Sequence, residues 1–147
     1  MDFTQAITAV FGKYATFSGR ARPAEYWWFA LFQLLCAIAL SILDQMLFGR
    51  PAMHTGPLEG VFDLATFLPT IAVLVRRLHD GNRSGWWFWI VLIPVIGIIM
   101  LLYWLIKSGT SGPNDYGPDP ISAISATIDH APLSPSNVPK IPRPPRP

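Results

Sequence analysis

The sequence predicts an all-α integral membrane protein: three transmembrane helices, a short N-terminal amphipathic helix before them and a disordered proline-rich tail after them. Three observations carry this. Long apolar runs recur along the chain. The turns between them hold arginines. Tryptophan pairs stand where the first and third runs begin. Hydrophobic residues make up 51% of the 147 positions and charged residues 14%, against about 25% charged in a soluble domain.

Residues 3–14 open the chain. Phe3, Ile7, Val10, Phe11 and Tyr14 recur at helical spacing, with Asp2, Gln5, Thr8 and Lys13 on the other side. Such a helix lies at the membrane surface or caps the bundle. Residues 17–29, FSGRARPAEYWWF, form a basic turn in which Gly19 breaks the helix. Pro23 then suits a first helical position, where its missing N–H needs no partner. Glu25 complements the positive end of the helix dipole. Tyr26, Trp27 and Trp28 fall where an interfacial aromatic belt belongs.

The first span is residues 26–43, uncharged, with Gln33 and Ser41 its main polar positions and Asp44 closing it. A Gly/Pro-rich loop, GRPAMHTGPLEG, follows. The second span, residues 60–75, contains Asp63 and Pro69. Nine large aliphatic or Phe side chains favour its insertion by roughly 3–5 kcal/mol, and a central Asp opposes it by about 2.5–3.5 kcal/mol. Asp63 near the segment start tips the balance toward crossing; a re-entrant or interfacial segment is the alternative. Pro69 requires a neighbouring group to satisfy the carbonyl it frees. The turn Asp80-Gly81-Asn82 has Gly81 available for positive φ. The third span, residues 86–106 (WWFWIVLIPVIGIIMLLYWLI), holds no charge over 21 residues, enough at about 1.5 Å per residue to cross a core of roughly 30 Å. Residues 121–147 hold seven prolines in 27 positions and cannot bury a core.

Three spans place Lys13, Arg20, Arg22, Arg76, Arg77 and Arg83 on one side, with Arg50 and Lys107 on the other. Six against two makes the first side cytoplasmic, with the N-terminus inside and the tail outside. No small-residue cleavage site follows the first run, so the first span is expected to stay in the mature chain.

Three motifs stand out: FSGRARPAEYWWF (17–29), RRLHDGNRSGWW (76–87) and NDYGPDP (114–120). In this order the chain resembles the YhaH/YhaI-type family of small bacterial inner-membrane proteins, a domain of unknown function. The resemblance covers roughly residues 10–120 and leaves the tail outside. It implies a bacterial cytoplasmic membrane and a few spans. It carries over no activity, catalytic residue or ligand.

Two side-chain groups are candidates for a role. Arg76, Arg77, His79, Asp80 and Arg83, joined by Arg20 and Arg22, form a basic face that would bind phosphate-bearing headgroups or an acidic partner. The plainer reading is that they fix topology and pair with Asp80 and Glu25. Asp44, Asp63 and Lys107 are expected at the outer helix ends, as a structural ion pair. The tryptophans read as an interface belt and NDYGPDP as a turn.

The favoured function is a non-enzymatic multi-pass inner-membrane protein whose basic cytoplasmic face contacts anionic lipid. Self-association or a membrane-protein partner is a further option. A net charge of +2, grouped at segment ends, argues against nucleic acid. No metal site or cofactor is expected: Cys36 is the only cysteine, and no histidine set has ligand spacing. The alternatives are a membrane enzyme acting on a phosphate-bearing lipid through His79 and Asp80, and a small transporter using Asp63.

Overall fold

The computed structural model describes residues 1–49 and 55–122. The expected disordered tail falls almost wholly outside them, as does Arg50. Four α-helices follow in order: α1 (Phe3–Gly12), α2 (Pro23–Phe48), α3 (Pro57–Asp80) and α4 (Ile96–Ile106), with a 3-10 helix (Gly85–Leu92) between α3 and α4.

Helix α1 starts with a capping box. The Asp2 carboxylate accepts from the Gln5 amide at 2.8 Å, and the Gln5 side chain accepts from the Asp2 amide at 3.2 Å. Its apolar face, with Ala6 and Val10 buried, packs along α2. Phe3 meets Trp28 edge to face, and Phe11 meets Phe29 and Phe32. The helix thus packs on the bundle through its apolar face.

Helices α2 and α3 are the two long apolar helices among the described residues. Their 26 and 24 residues give lengths of about 39 and 36 Å, each more than a bilayer core of roughly 30 Å. Both begin with proline, and α2 ends on Gly49 in the left-handed conformation (φ 61°). They run antiparallel. At one end Asp44 of α2 caps α3, accepting from the Leu58 amide at 3.2 Å and the Glu59 amide at 3.0 Å. The close approach of Asp44 to Gly56 leaves no room for a Cβ there. At the other end Glu25 of α2 meets Arg76 of α3.

Pro69 lies inside α3 and is buried. It cannot donate to the Ala65 carbonyl four residues earlier. The Tyr14 hydroxyl donates to that carbonyl instead. Beside the proline Gln33 of α2 donates to the Thr70 hydroxyl at 2.7 Å, which donates in turn to the Thr66 carbonyl at 2.6 Å. The segment thus remains helical across its proline.

The third apolar run departs from expectation. Residues 86–106 do not form one helix. The 3-10 helix descends from the Asp80 end of α3, Pro94 and Val95 turn the chain, and α4 climbs back to the end where the run began. Eight residues at about 2.0 Å and eleven at about 1.5 Å both give limbs of about 16 Å, half a bilayer core. The limbs touch: Trp87 and Trp104 rings lie 5.5 Å apart, and Gly97 sits so close to the Ile90 carbonyl that a Cβ would collide with it. At the tip the Ile96 amide donates to the Pro94 carbonyl at 2.8 Å across Val95, whose φ of 65° and ψ of −67° describe a strained γ-turn.

Two long helices and a hairpin therefore stand where three long helices were expected. Asn82 (φ 54°), rather than Gly81 (φ −86°), takes the left-handed position after α3. One cluster of the buried apolar core is Val10, Ala21, Phe29 and Val73, with Tyr26 and Phe32 against it.

Candidate polar node at the helix ends

The hairpin brings the ends of α2, α3 and α4 and the segment 107–120 to one place, and there the three sequence motifs converge. Arg20, Glu25, Arg76, Arg77 and Asp80 are buried, at 6, 3, 1, 1 and 3% exposure. Charged groups this deep must be paired. Asp80 is the hub. Its Oδ1 accepts from Arg20 Nε at 2.9 Å, and its Oδ2 accepts from an Arg77 terminal nitrogen at 2.6 Å.

Arg77 and Arg20 direct their other donors to carbonyls brought from far along the chain. Arg77 donates to the carbonyls of Leu105 (3.2 Å) and Lys107. Arg20 donates to Gly112 (2.6 Å) and Thr110. These are the last carbonyls of α4 and the turn after it, which have no intrahelical donor. Arg76 donates to Glu25 at 2.6 Å, while its Nε and second terminal nitrogen have no partner among the described residues.

Segment 107–120 closes over the node. Its first tie is the Thr110 amide, donating to the Asp80 carbonyl at 2.8 Å. Gly109 packs against the Asp80 carboxylate so tightly that a Cβ would overlap it. The Asn114 side chain donates to the His79 carbonyl at 2.9 Å. Tyr116 stacks on the His79 ring, centroids 3.9 Å apart and planes 8° apart. His79 Nδ1 lies 3.2 Å from the Gly19 carbonyl. Asp119 accepts from the Ile121 amide at 2.8 Å and the Gly112 amide at 3.2 Å. These N–H groups, Ile121 first, and the Arg20 charge hold its carboxyl below the ordinary value.

The candidate headgroup residues thus divide. Arg20, Arg76 and Arg77 turn inward and are taken up by internal partners. Arg22 is half-buried and donates to the Pro120 carbonyl. Arg83 lies 4.7 Å over the Trp104 ring and donates to the Gly81 carbonyl at 3.2 Å. His79 and Asp80 are adjacent in sequence but bind different partners: Asp80 faces two arginines and His79 faces Gly19.

The expected pairing of Asp44, Asp63 and Lys107 does not form. Asp44 caps α3 at the far end, and Asp63 is exposed on α3. Lys107 has come back with the hairpin to the node, its amine 6.0 Å from the Tyr103 ring. The reason is the hairpin itself, which moves Lys107 to the opposite end from both acids. Thr110, Asn114, Tyr116 and Asp119 were not among the sequence candidates. For the last three the only signal was the turn-rich motif NDYGPDP, which reads as local structure until its docking partner is seen; Thr110 lies before that motif, in the turn after α4.

A family model described as a protein of unknown function, DUF805, matches residues 14–118. The chain is 42% identical to inner membrane protein YhaH of Escherichia coli (strain K12) over 111 residues, covering 76% of this chain and 92% of that one. It is 41% identical to inner membrane protein YhaI of the same organism over 116 residues, covering 79% and 95%. The uncharacterized protein YiiR of that strain is 28% identical over 136 residues, covering 71% and 85%. No solved structure matches. The residues that the family model matches hold the first two motifs whole and the third through Pro118, and by these matches the chain belongs to the DUF805 family, whose relatives here are inner membrane proteins of unknown function.

Proposed function

We propose that the protein is a non-catalytic inner-membrane protein that crosses twice, through α2 and α3, with the node at the cytoplasmic face. Arg22, Arg83 and Lys107 rim that node and hold anionic lipid headgroups. The observation that carries this reading is the division of the cations. Arg20 and Arg77 share Asp80 and Arg76 takes Glu25, whereas Arg22, Arg83 and Lys107 have no carboxylate partner among the described residues. The first three organise the fold, and the last three are left for phosphate.

The hairpin also sharpens the charge asymmetry. Moving Lys107 to the node's side turns six basic residues against two into seven against one, which favours the node inside by the positive-inside rule. With two crossings, both ends of the membrane domain are cytoplasmic. Each rim cation contributes about 1 kcal/mol of attraction to an anionic surface.

The test is lipid selectivity in nanodiscs of mixed phosphatidylglycerol and phosphatidylcholine, read from spin-labelled lipid at the protein boundary. Wild-type protein should enrich phosphatidylglycerol, and the triple reversal Arg22→Glu, Arg83→Glu, Lys107→Glu should abolish the enrichment while the protein still folds. Equal boundary populations around the wild type would defeat the proposal. Tags at the two ends, probed with an impermeant protease in spheroplasts, should both be protected; cleavage of one would contradict the two-crossing topology.

A further inference from the structure

A groove of about 430 Å³ runs along α3 beside the 3-10 helix, within the usual range for ligand sites. Its walls are Phe17, Ile71, Val75, Trp86 and Phe88, with His79 and Ser84 also lining it. It has a direction. His79 is in the last turn of α3 and Ser84 caps the 3-10 helix, both at the node. Ile71 lies eight residues deeper, about 12 Å along the helix. Polar groups thus stand at the mouth and hydrocarbon below, the polarity order of an amphiphile lying in one leaflet. Trp86, on the wall, is 78% exposed, so the groove opens sideways toward lipid.

The mouth also selects a head. His79 is held on two sides: its face stacks on Tyr116, and its Nδ1 points to the Gly19 carbonyl at 3.2 Å. A carbonyl only accepts, so Nδ1 carries the hydrogen. In the neutral ring Nε2 is then a lone-pair acceptor, and it has no protein partner among the described residues. No acidic, lysine or arginine side chain lines the groove, and Arg83 is turned away onto Trp104. An acceptor in an uncharged apolar slot suits a hydroxyl and disfavours a phosphate, whose negative charge nothing in the slot would neutralise.

We propose that this groove binds the hydrocarbon chain of a neutral, hydroxyl-headed lipid, with His79 Nε2 accepting the hydroxyl hydrogen. The site is separate from the cationic rim, and either can fail without the other.

The experiment uses the full chain in phosphatidylcholine nanodiscs and a long-chain alcohol bearing a diazirine midway along its chain. Photolabelling should saturate and map to the groove walls. Excess octadecanol should compete, and octadecyl methyl ether, which lacks the donor, should compete about tenfold more weakly, the worth of one hydrogen bond. His79→Phe, which keeps the stack on Tyr116, should weaken labelling by a similar factor, and Ile71→Trp should block it by filling the slot. Thermal unfolding checks that both variants fold. If either does not, the alcohol and ether comparison on wild-type protein decides alone. Labelling that does not saturate, that maps elsewhere, or that ether and alcohol suppress equally would overturn the proposal. So would stronger competition by octadecyl phosphate than by the alcohol.

Discussion

The Tyr14 hydroxyl and Pro69 make a closed test of how α3 survives its proline. Pro69 has no N–H, so the Ala65 carbonyl lacks its helical donor, and Tyr14 supplies one from outside the helix. Tyr14→Phe removes that donor and almost nothing else. A polar group left unpaired away from water costs about 1–3 kcal/mol. Interhelical hydrogen bonds measured inside membranes average about 0.6 kcal/mol and reach about 1.7. The overlap sets the expected loss near 1 kcal/mol. In a Pro69→Ala background residue 69 regains its amide and donates to Ala65 itself, so Tyr14→Phe should then cost close to nothing. The four proteins form a double-mutant cycle with an expected coupling of about 1 kcal/mol. Unfolding in mixed micelles at rising SDS fraction, followed by tryptophan fluorescence, measures it. If Tyr14→Phe costs the same in the wild-type and Pro69→Ala backgrounds, the hydroxyl is not replacing the missing helix bond and the account of α3 is wrong.

The node makes its own predictions. Asp80→Asn removes the charge shared by Arg20 and Arg77 and should destabilise by about 3–5 kcal/mol, whereas Asp63→Asn, on an exposed site, should stay within about 0.5 kcal/mol; equal losses in the same micelle assay would remove Asp80 as hub. At the hairpin tip, Val95→Gly should stabilise by about 1 kcal/mol, because the positive-φ turn costs a β-branched residue roughly 1–3 kcal/mol and glycine gives back only part of that in chain entropy; a loss of stability would contradict the strained turn. Asp119 sets an acid limit. Its carboxyl is held below the ordinary value, so its contribution is complete above the unfolded pKa of about 3.9 and is lost as pH falls through the lower folded value. Amide exchange at Gly112 and Ile121, compared with Asp119→Asn, should therefore diverge from the variant at pH 7 and converge on it only in strong acid. Convergence already near pH 5 would show that Asp119 is not held this way.

How much of this was legible in the chain differs by element. Residues 3–14 read as an amphipathic helix because Phe3, Ile7, Val10 and Phe11 keep helical spacing, and α1 is there. The start of α2 was signalled by Pro23 and Glu25, whereas Pro57 and Glu59, which open α3, were read as loop; α2 runs to Phe48 and α3 from Pro57 to Asp80, well beyond their apolar stretches. Hydropathy adds residue by residue and stops where polar side chains begin, while helical hydrogen bonds continue through Asp44 and Arg76. Asp63 and Pro69 made the second run look weak, yet it is a continuous helix. The third run, the most apolar of all, contains Pro94 and Gly97 at its midpoint, and these make the hairpin.

Alone, the sequence determined that the chain is helical and membrane-like, which runs are apolar and which turns are cationic, because those follow from side-chain chemistry and spacing along one segment. The tertiary structure decided where the chain turns back and which arginines are paired inside. Arg77 holds carbonyls 28 and 30 residues away and Arg20 holds others about 90 away, and no local pattern carries a partner at that separation. The same buried bonds that hold the 86–106 run folded back on itself bury Arg20 and Arg77, so the path of the chain and the pairing of these arginines were set together.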